Sequence, residues 1–87
     1  MAPTELLPHL QRRPFVPFRI VSSDGKNYDV RHPEMVMLLP TAAMVAYPNE
    51  QVPGTFLRVD FVSMFHIVRI EMLEAAPSSQ GNGEQQA

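Results

Sequence analysis

Three histidines, His9, His32 and His66, carry side chains whose chemistry suits metal binding or acid–base catalysis. None stands at a ligand spacing from another His, Asp or Glu in a recognisable metal motif. The chain has no cysteine, which excludes disulfides, thiolate catalysis and cysteine-rich zinc sites. We therefore expect the three histidines to be structural, with no bound metal and no other cofactor.

The pair His32 and Glu34 is the most reactive-looking local combination, because an imidazole and a carboxylate could meet across Pro33. An acid–base site needs more convergent groups than one pair, so a simple turn at the end of a strand is the favoured interpretation. The serines lie in no G-x-S-x-G elbow, and no glycine-rich phosphate loop is present. The sequence thus predicts a protein that is not an enzyme.

Arg12, Arg13 and Arg19 lie close to Phe15 in the sequence and form a candidate surface for RNA or a protein partner. Arginines beside an aromatic ring can hold a phosphate and stack on a base. In the alternative interpretation, the first two cations close a helix and Arg19 forms a surface ion pair with Asp29. The net charge of -2 favours that alternative and makes DNA an unexpected partner.

Length and composition describe one small folded unit. The chain has 87 residues, 45% of them hydrophobic, which is enough for one domain and too many for a disordered chain. We expect residues 1–74 to form a single β domain and the polar residues 75–87 to form a flexible tail. No apolar run reaches membrane-spanning length and no signal sequence is evident, so the expectation is a cytoplasmic protein without a membrane partner.

One β-hairpin is indicated by two β-rich runs on either side of Asp24-Gly25. A two-residue turn would place polar and apolar side chains on the same face. A three-residue loop, residues 23–25, instead pairs Ile20 with Tyr28 and Arg19 with Asp29, which gives one apolar face and one largely polar face. We therefore predict the three-residue loop, with Gly25 in the left-handed conformation.

The other elements follow from proline positions and apolar patterning. A helix is predicted over residues 4–13, with Thr4 as its N-cap and Pro14 as its stop. Residues 55–73 fit two strands, 55–61 and 66–73, joined by a turn at 62–65, or else one amphipathic helix. Composition rich in Val, Ile and Phe favours the two strands. The remaining strands are predicted at residues 18–22, 26–32, 35–39 and 43–47.

The runs at residues 35–39 and 43–47 are apolar on both faces, as expected for strands that are covered on both sides. So small a chain covers such strands with difficulty. We therefore predict a mainly β fold, a small Sm-like or SH3-like barrel or a strongly curved antiparallel sheet, after a short N-terminal helix. The predicted function is a non-catalytic interaction module that binds a second copy of itself or another protein.

Two resemblances bear on that prediction. The segments PFVPFRI (14–20), DGKNYDVRHPE (24–34) and HIVRIE (66–71) resemble those of a group of short bacterial proteins of uncharacterised function. A weaker resemblance is to Sm-like barrels, including the bacterial RNA-chaperone type, which have an N-terminal helix, five bent strands and a short turn before the last strand. It implies an alternative function as an RNA-binding regulatory protein, with RNA held by the candidate surface around Phe15.

Overall fold

The computed structural model describes residues 1–73, and the predicted tail at 75–87 lies outside the described residues. The regular elements follow one another along these residues with short connections. In order they are α1 (Pro3–Gln11), β1 (Phe18–Ser22), β2 (Asn27–Val30), a 3₁₀ turn (Pro33–Met35), β3 (Val36–Leu38), β4 (Ala42–Pro48), β5 (Phe56–Ser63), a second 3₁₀ turn (Met64–His66) and β6 (Ile67–Met72).

The described strands form two antiparallel sheets of three strands each, in the orders β2-β1-β6 and β3-β4-β5. The mainly β prediction with a short N-terminal helix is confirmed. A closed barrel is not found within residues 1–73, because β2 and β3 are separated by the turn at Pro33–Met35, and β5 and β6 by the turn at Met64–His66. Proline cannot donate to a ladder, which explains why the run predicted as strand 26–32 ends at Val30.

Helix α1 begins earlier than the sequence suggested. Its N-cap is Ala2 instead of Thr4, and the Glu5 carboxylate accepts a hydrogen bond from the Ala2 backbone N–H over 2.7 Å. Pro3 occupies the first turn, where a missing N–H has no cost, and the helix ends at Gln11 before Pro14. The helix is fixed to the sheets by Leu6, which is completely buried in the core.

The β1–β2 hairpin has the predicted three-residue register. Ile20 lies opposite Tyr28, and Arg19 lies opposite Asp29. Gly25 has a φ of 90°, in the left-handed region. The Asp24 carboxylate accepts a hydrogen bond from the Lys26 backbone N–H over 2.9 Å, which fixes the turn and lowers the pKa of Asp24.

Replacing Gly25 with Val is expected to destabilise the fold by about 1–2 kcal/mol, the usual cost of a left-handed backbone for a residue with a Cβ. An added Cβ at this position meets no atom within 4 Å, so the expected cost comes from the left-handed backbone and not from a clash of the Cβ. Urea unfolding measures it. Gly25→Asn is the control, since Asn tolerates this conformation and should cost less; equal stabilities of the two variants would contradict the turn geometry.

Residues 55–73 form two strands and a turn, and the single-helix alternative is wrong. The chain leaves β5 at Ser63, whose hydroxyl accepts a hydrogen bond from the Phe65 backbone N–H over 3.2 Å. Strand β6 then pairs with β1, so the segment crosses from one sheet to the other. No helix among the described residues is long and apolar enough to cross a membrane.

The hydrophobic core lies between the two sheets and is closed on one side by α1. Each sheet contributes the side chains of one face, as the alternation along a strand requires. The largest fully buried side chains are Leu6, Phe18, Ile20, Val30 and Val45.

Candidate functional site

The arginines at the end of α1 take part in closing the helix. Arg12 is its C-cap and is exposed. The Arg13 guanidinium donates hydrogen bonds to the carbonyl oxygens of Leu10, over 3.1 Å, and Arg12, over 2.8 Å. These carbonyls have no partner within the helix, and cations near a helix C-terminus commonly satisfy them. Within residues 1–73, neither arginine has a carboxylate partner.

Phe15 packs against the core. Its ring lies 5.9 Å from the ring of Phe18, and the side chain is half-buried. A ring held in this way offers only part of its surface for stacking on a base. The structure therefore does not bring Phe15, Arg12 and Arg13 together into a fully exposed aromatic and basic platform.

Arg19 lies on the outer face of the β1 sheet and pairs with Asp29 across the hairpin. Its Nε donates to one carboxylate oxygen over 2.7 Å and a terminal nitrogen donates to the other over 3.3 Å. The hydrogen bond from Arg19 lowers the pKa of Asp29 and raises that of Arg19 itself. Arg69 and Glu71 form a further ion pair on β6, 2.7 Å long, so the outer face of this sheet is strongly charged.

Asp29→Asn is expected to lower the unfolding free energy by about 0.2–1 kcal/mol at neutral pH, because the ion pair is partly exposed. The folded-state pKa of Asp29 lies below its unfolded value of about 3.9, so the pair stabilises the fold above that pH. The stabilisation is lost as the pH falls through the folded-state pKa. Urea unfolding against pH, with Arg19→Gln and the double variant, tests this; additive effects at neutral pH would contradict a coupled pair.

The histidines and Glu34 do not converge. His32 precedes the first 3₁₀ turn without a side-chain capping bond, and both it and Glu34 are exposed. His66 lies 3.2 Å from the Ser23 hydroxyl, and the His9 ring packs at 5.4 Å from Phe18. Within residues 1–73, no group of three His, Cys, Asp or Glu side chains is placed to hold a metal ion.

A polar cleft of about 390 Å³ lies between the start of β2 and the paired ends of β4 and β5. The Arg58 guanidinium sits 4.2 Å above the Tyr47 ring and 3.4 Å from the Asp60 carboxylate. Burial, and then the charge of Asp60, raise the pKa of Tyr47, so its phenol is neutral near pH 7. The lining side chains are those of Lys26, Asn27, Tyr28, Tyr47, Arg58 and Asp60.

The outer face of the β3-β4-β5 sheet is apolar, and residues 1–73 leave most of it uncovered, although Ala46 in its central strand is only 7% exposed. One row across the sheet is Met37, Met44 and Phe61, and the next pairs Ala46 with Val59. The exposed fractions are 57% for Met37 and 65% for Phe61, too high for core positions. We refer to this surface as the apolar face, which consists of Met37, Met44, Ala46, Leu57, Val59 and Phe61.

Among residues 1–73, strand β5 also has an open edge. It pairs with β4 on one side and is the last strand of its sheet. Leu57 is 69% exposed and Val59 is 42% exposed, and both belong to the apolar face. Strand β6 is the corresponding edge of the other sheet, where Val68 is 53% exposed. Unpaired backbone groups on such edges are sites at which another chain can add a strand.

The sequence did not predict this surface, because the apolar side chains of β5 face outward and its charged side chains lie on the core side. Leu57, Val59 and Phe61 alternate with Arg58 and Asp60, which is typical of a strand whose apolar side is buried. In the structure the row of Val45 and Asp60 lies on the core side and the row of Phe61 lies outside. One signal of this surface was present in the sequence: β4 is apolar on both faces, which indicates that something covers both faces.

Comparison with known proteins identifies no relative of this chain. No family model, no curated protein and no solved structure matches the chain.

Proposed function

We propose that this protein is a non-catalytic β module that associates with a second copy of itself through the apolar face and the open edge of β5. The observation that carries the proposal is the unbroken apolar composition of this face. Each of its six side chains is a hydrocarbon or thioether, and four of them are more than 40% exposed.

An uncovered face of this kind is unfavourable in water. Monomeric proteins rarely expose large continuous apolar patches, and such patches commonly mark interaction sites. The free-energy gain on covering them is about 25 cal/mol for each Å² of apolar surface. In a chain of 87 residues, which buries only about 60–65% of its unfolded surface, that contribution is a large share of the total stability.

The distribution of charged residues also favours one face of this molecule as the binding surface. The outer surface of the β2-β1-β6 sheet carries ion pairs, Arg19 with Asp29 and Arg69 with Glu71, and is suited to water. The apolar face, on the other sheet, carries no charged residue. The two sides of the molecule therefore have different roles, with one solvated and the other available for a partner.

A more specific form of this proposal is that the β module is an Sm-like barrel. Strands β2 and β3 would together correspond to one bent strand, interrupted at Pro33–Met35, and the turn at Met64–His66 would precede the closing strand. The order of helix, strands and turn supports that correspondence. The resemblance to the short bacterial proteins and the cytoplasmic location stay predictions from the sequence.

Light scattering coupled to size-exclusion chromatography tests self-association directly. At micromolar concentration we expect at least twice the mass of one chain, falling towards the mass of one chain on dilution. The absorbance ratio of the same peak reports any nucleic acid that copurifies. A chain that stays monomeric up to the highest soluble concentration would end the proposal.

RNA binding is the second candidate, and one observation favours it. The exposed side chains of Arg12 and Arg13 have no carboxylate partner within residues 1–73, and Arg13 engages the carbonyls at the helix end through one terminal nitrogen, so its guanidinium charge is not neutralised there. Binding of short single-stranded RNA, measured against salt, should weaken steeply as salt rises and should drop in the Arg12→Gln/Arg13→Gln variant. No affinity even at low salt would exclude this function.

A further inference from the structure

We infer that the second copy binds by antiparallel pairing of β5 with β5, about a two-fold axis that passes beside Val59. This inference rests on the proposed self-association and specifies its geometry. Two three-stranded sheets would then join into one sheet of six strands in the order β3-β4-β5-β5-β4-β3, with the last three strands from the second copy.

The core-side charges of β5 are the first evidence. A charged side chain on an edge strand normally prevents strand addition, because it meets its own copy or an apolar surface; the Arg58 side chain is 64% exposed and that of Asp60 is 33% exposed. Here two opposite charges, Arg58 and Asp60, lie two residues apart on the same side of the strand. When a second copy of the strand runs antiparallel to the first, Arg58 of each copy can therefore lie opposite Asp60 of the other.

Only one register makes use of this complementarity. With the axis at Val59, Arg58 lies opposite Asp60 of the second copy, and Asp60 lies opposite its Arg58. Moving the axis to position 58 or 60 sets like charges against each other, which is destabilising. Moving it to position 57 or 61 places each charge opposite an apolar residue or beyond the end of the strand. Charge therefore selects Val59 among the five central positions.

The same register joins the apolar faces. In an antiparallel pair, residues directly opposite each other lie on the same side of the sheet. Val59 then meets Val59 of the second copy, and Leu57 meets its Phe61, so these side chains make lateral apolar contacts across the axis and the two apolar faces become one continuous surface. Strand β5 runs from Phe56 to Ser63, so this axis also lies near its middle and gives nearly the longest overlap available.

The edge of β6 is a poorer partner for β5. Its outer side chains include Arg69 and Glu71, which are held 2.7 Å apart in an ion pair. Pairing β5 with β6 would continue the apolar face of one copy into the charged face of the other. A guanidinium and a carboxylate would be desolvated against Leu57 and Phe61 without new partners, which is unfavourable.

Charge reversal tests the register. Arg58→Glu places two carboxylates opposite each other, and Asp60→Arg places two guanidinium groups opposite each other, so each variant alone should dissociate at least tenfold more readily. Mixed together, the two variants regain both opposite-charge pairs and should form a heterodimer. Native mass spectrometry of the mixture, with one variant isotope-labelled, reports that species. A mixture without preference for the heterodimer would overturn the register.

Single cysteines test the axis independently, because the chain has no cysteine of its own. Opposed residues have Cα atoms about 4.5–5.5 Å apart, within the range for a disulfide. Val59→Cys should therefore form a disulfide-linked dimer on oxidation. Leu57→Cys is the control on the same face, since its copy lies four residues away along the strand, roughly 14 Å. Crosslinking of the control but not of Val59→Cys would overturn the inference.

The results separate this inference from the proposed function. A wild-type dimer that ignores both charge reversals and crosslinks equally at both cysteines keeps self-association but refutes β5–β5 pairing. A wild-type monomer at every concentration refutes both. Circular dichroism of each variant confirms that the fold is retained, so a loss of mass cannot be confused with unfolding.

Discussion

Phe18→Ala is expected to remove most of the stability of the fold. Phe18 is completely buried in the central strand of its sheet, between Val30 on β2 and Met72 on β6. Its ring also contacts the rings of His9 and Phe15, at 5.4 and 5.9 Å between centroids, so it joins α1 and the following connector to the sheet. Removing a buried phenyl ring costs about 3–5 kcal/mol, which includes the cavity left behind.

That cost is large against the total stability of a small domain, usually about 5–15 kcal/mol with the smallest domains near the lower end. Phe65→Ala is the matched control, because Phe65 is 86% exposed and should change stability by no more than about 0.5 kcal/mol. Urea unfolding followed by circular dichroism compares the two. If both alanine variants unfold at the same urea concentration, the core described above is wrong.

The hairpin was predictable because several local signals agree on it. Asp24-Gly25 indicates a turn, and the opposite charges of Arg19 and Asp29 select its register. A one-residue shift would have placed polar side chains in the core, so the sequence itself excludes the alternative. The position of Pro14 likewise limited how far α1 could run, although the helix ends at Gln11, two residues before the predicted end, and its start depended on Ala2 and Glu5, which carry a weaker signal.

The relation between the two sheets was not predictable in the same way. Residues 55–73 fit a helical and a strand period equally well, and composition favoured the two strands that pairing with β4 and β1 fixes. Of these partners, β1 is distant in the sequence, so its pairing with β6 leaves no local trace. The orientation of β5 was hidden for a related reason, since Arg58 is accommodated on the core side by the ring of Tyr47. A tertiary contact thus outweighed the alternation pattern.

The arginines make the local contacts that the favoured alternative interpretation predicted. Their closeness in the sequence suggested one basic surface, but Arg19 is held by Asp29 on the outer face of the sheet, and Arg13 is held by carbonyls at the helix end. Residues that are close in the sequence can lie on neighbouring elements that point in different directions, so their side chains need not form one surface. For self-association, the relevant cluster spans β3, β4 and β5 and includes Met37, Met44 and Phe61.

Phe61→Lys is expected to weaken self-association at least tenfold while leaving the fold of one chain intact. Phe61 is 65% exposed on the apolar face, so a lysine there keeps its ammonium group in water in the free chain. In the proposed dimer Phe61 contacts Leu57 of the second copy, and a lysine at this position loses that apolar contact and places a charge beside an apolar side chain. Lysine on an edge strand is also a common natural protection against strand addition.

Val68→Lys is the matched control, because Val68 is 53% exposed on the other open edge, strand β6. Sedimentation equilibrium over a range of concentrations gives the dissociation constant of each variant, and urea unfolding confirms that both remain folded. Dissociation caused by Phe61→Lys alone would place the contact on β5. Equal dissociation by both would require β6 in the interface and would rule out a two-fold pairing of β5. No effect of Phe61→Lys would mean that the apolar face is not where the copies meet, and the exposed side chains of β3, β4 and β5 would then need a different partner.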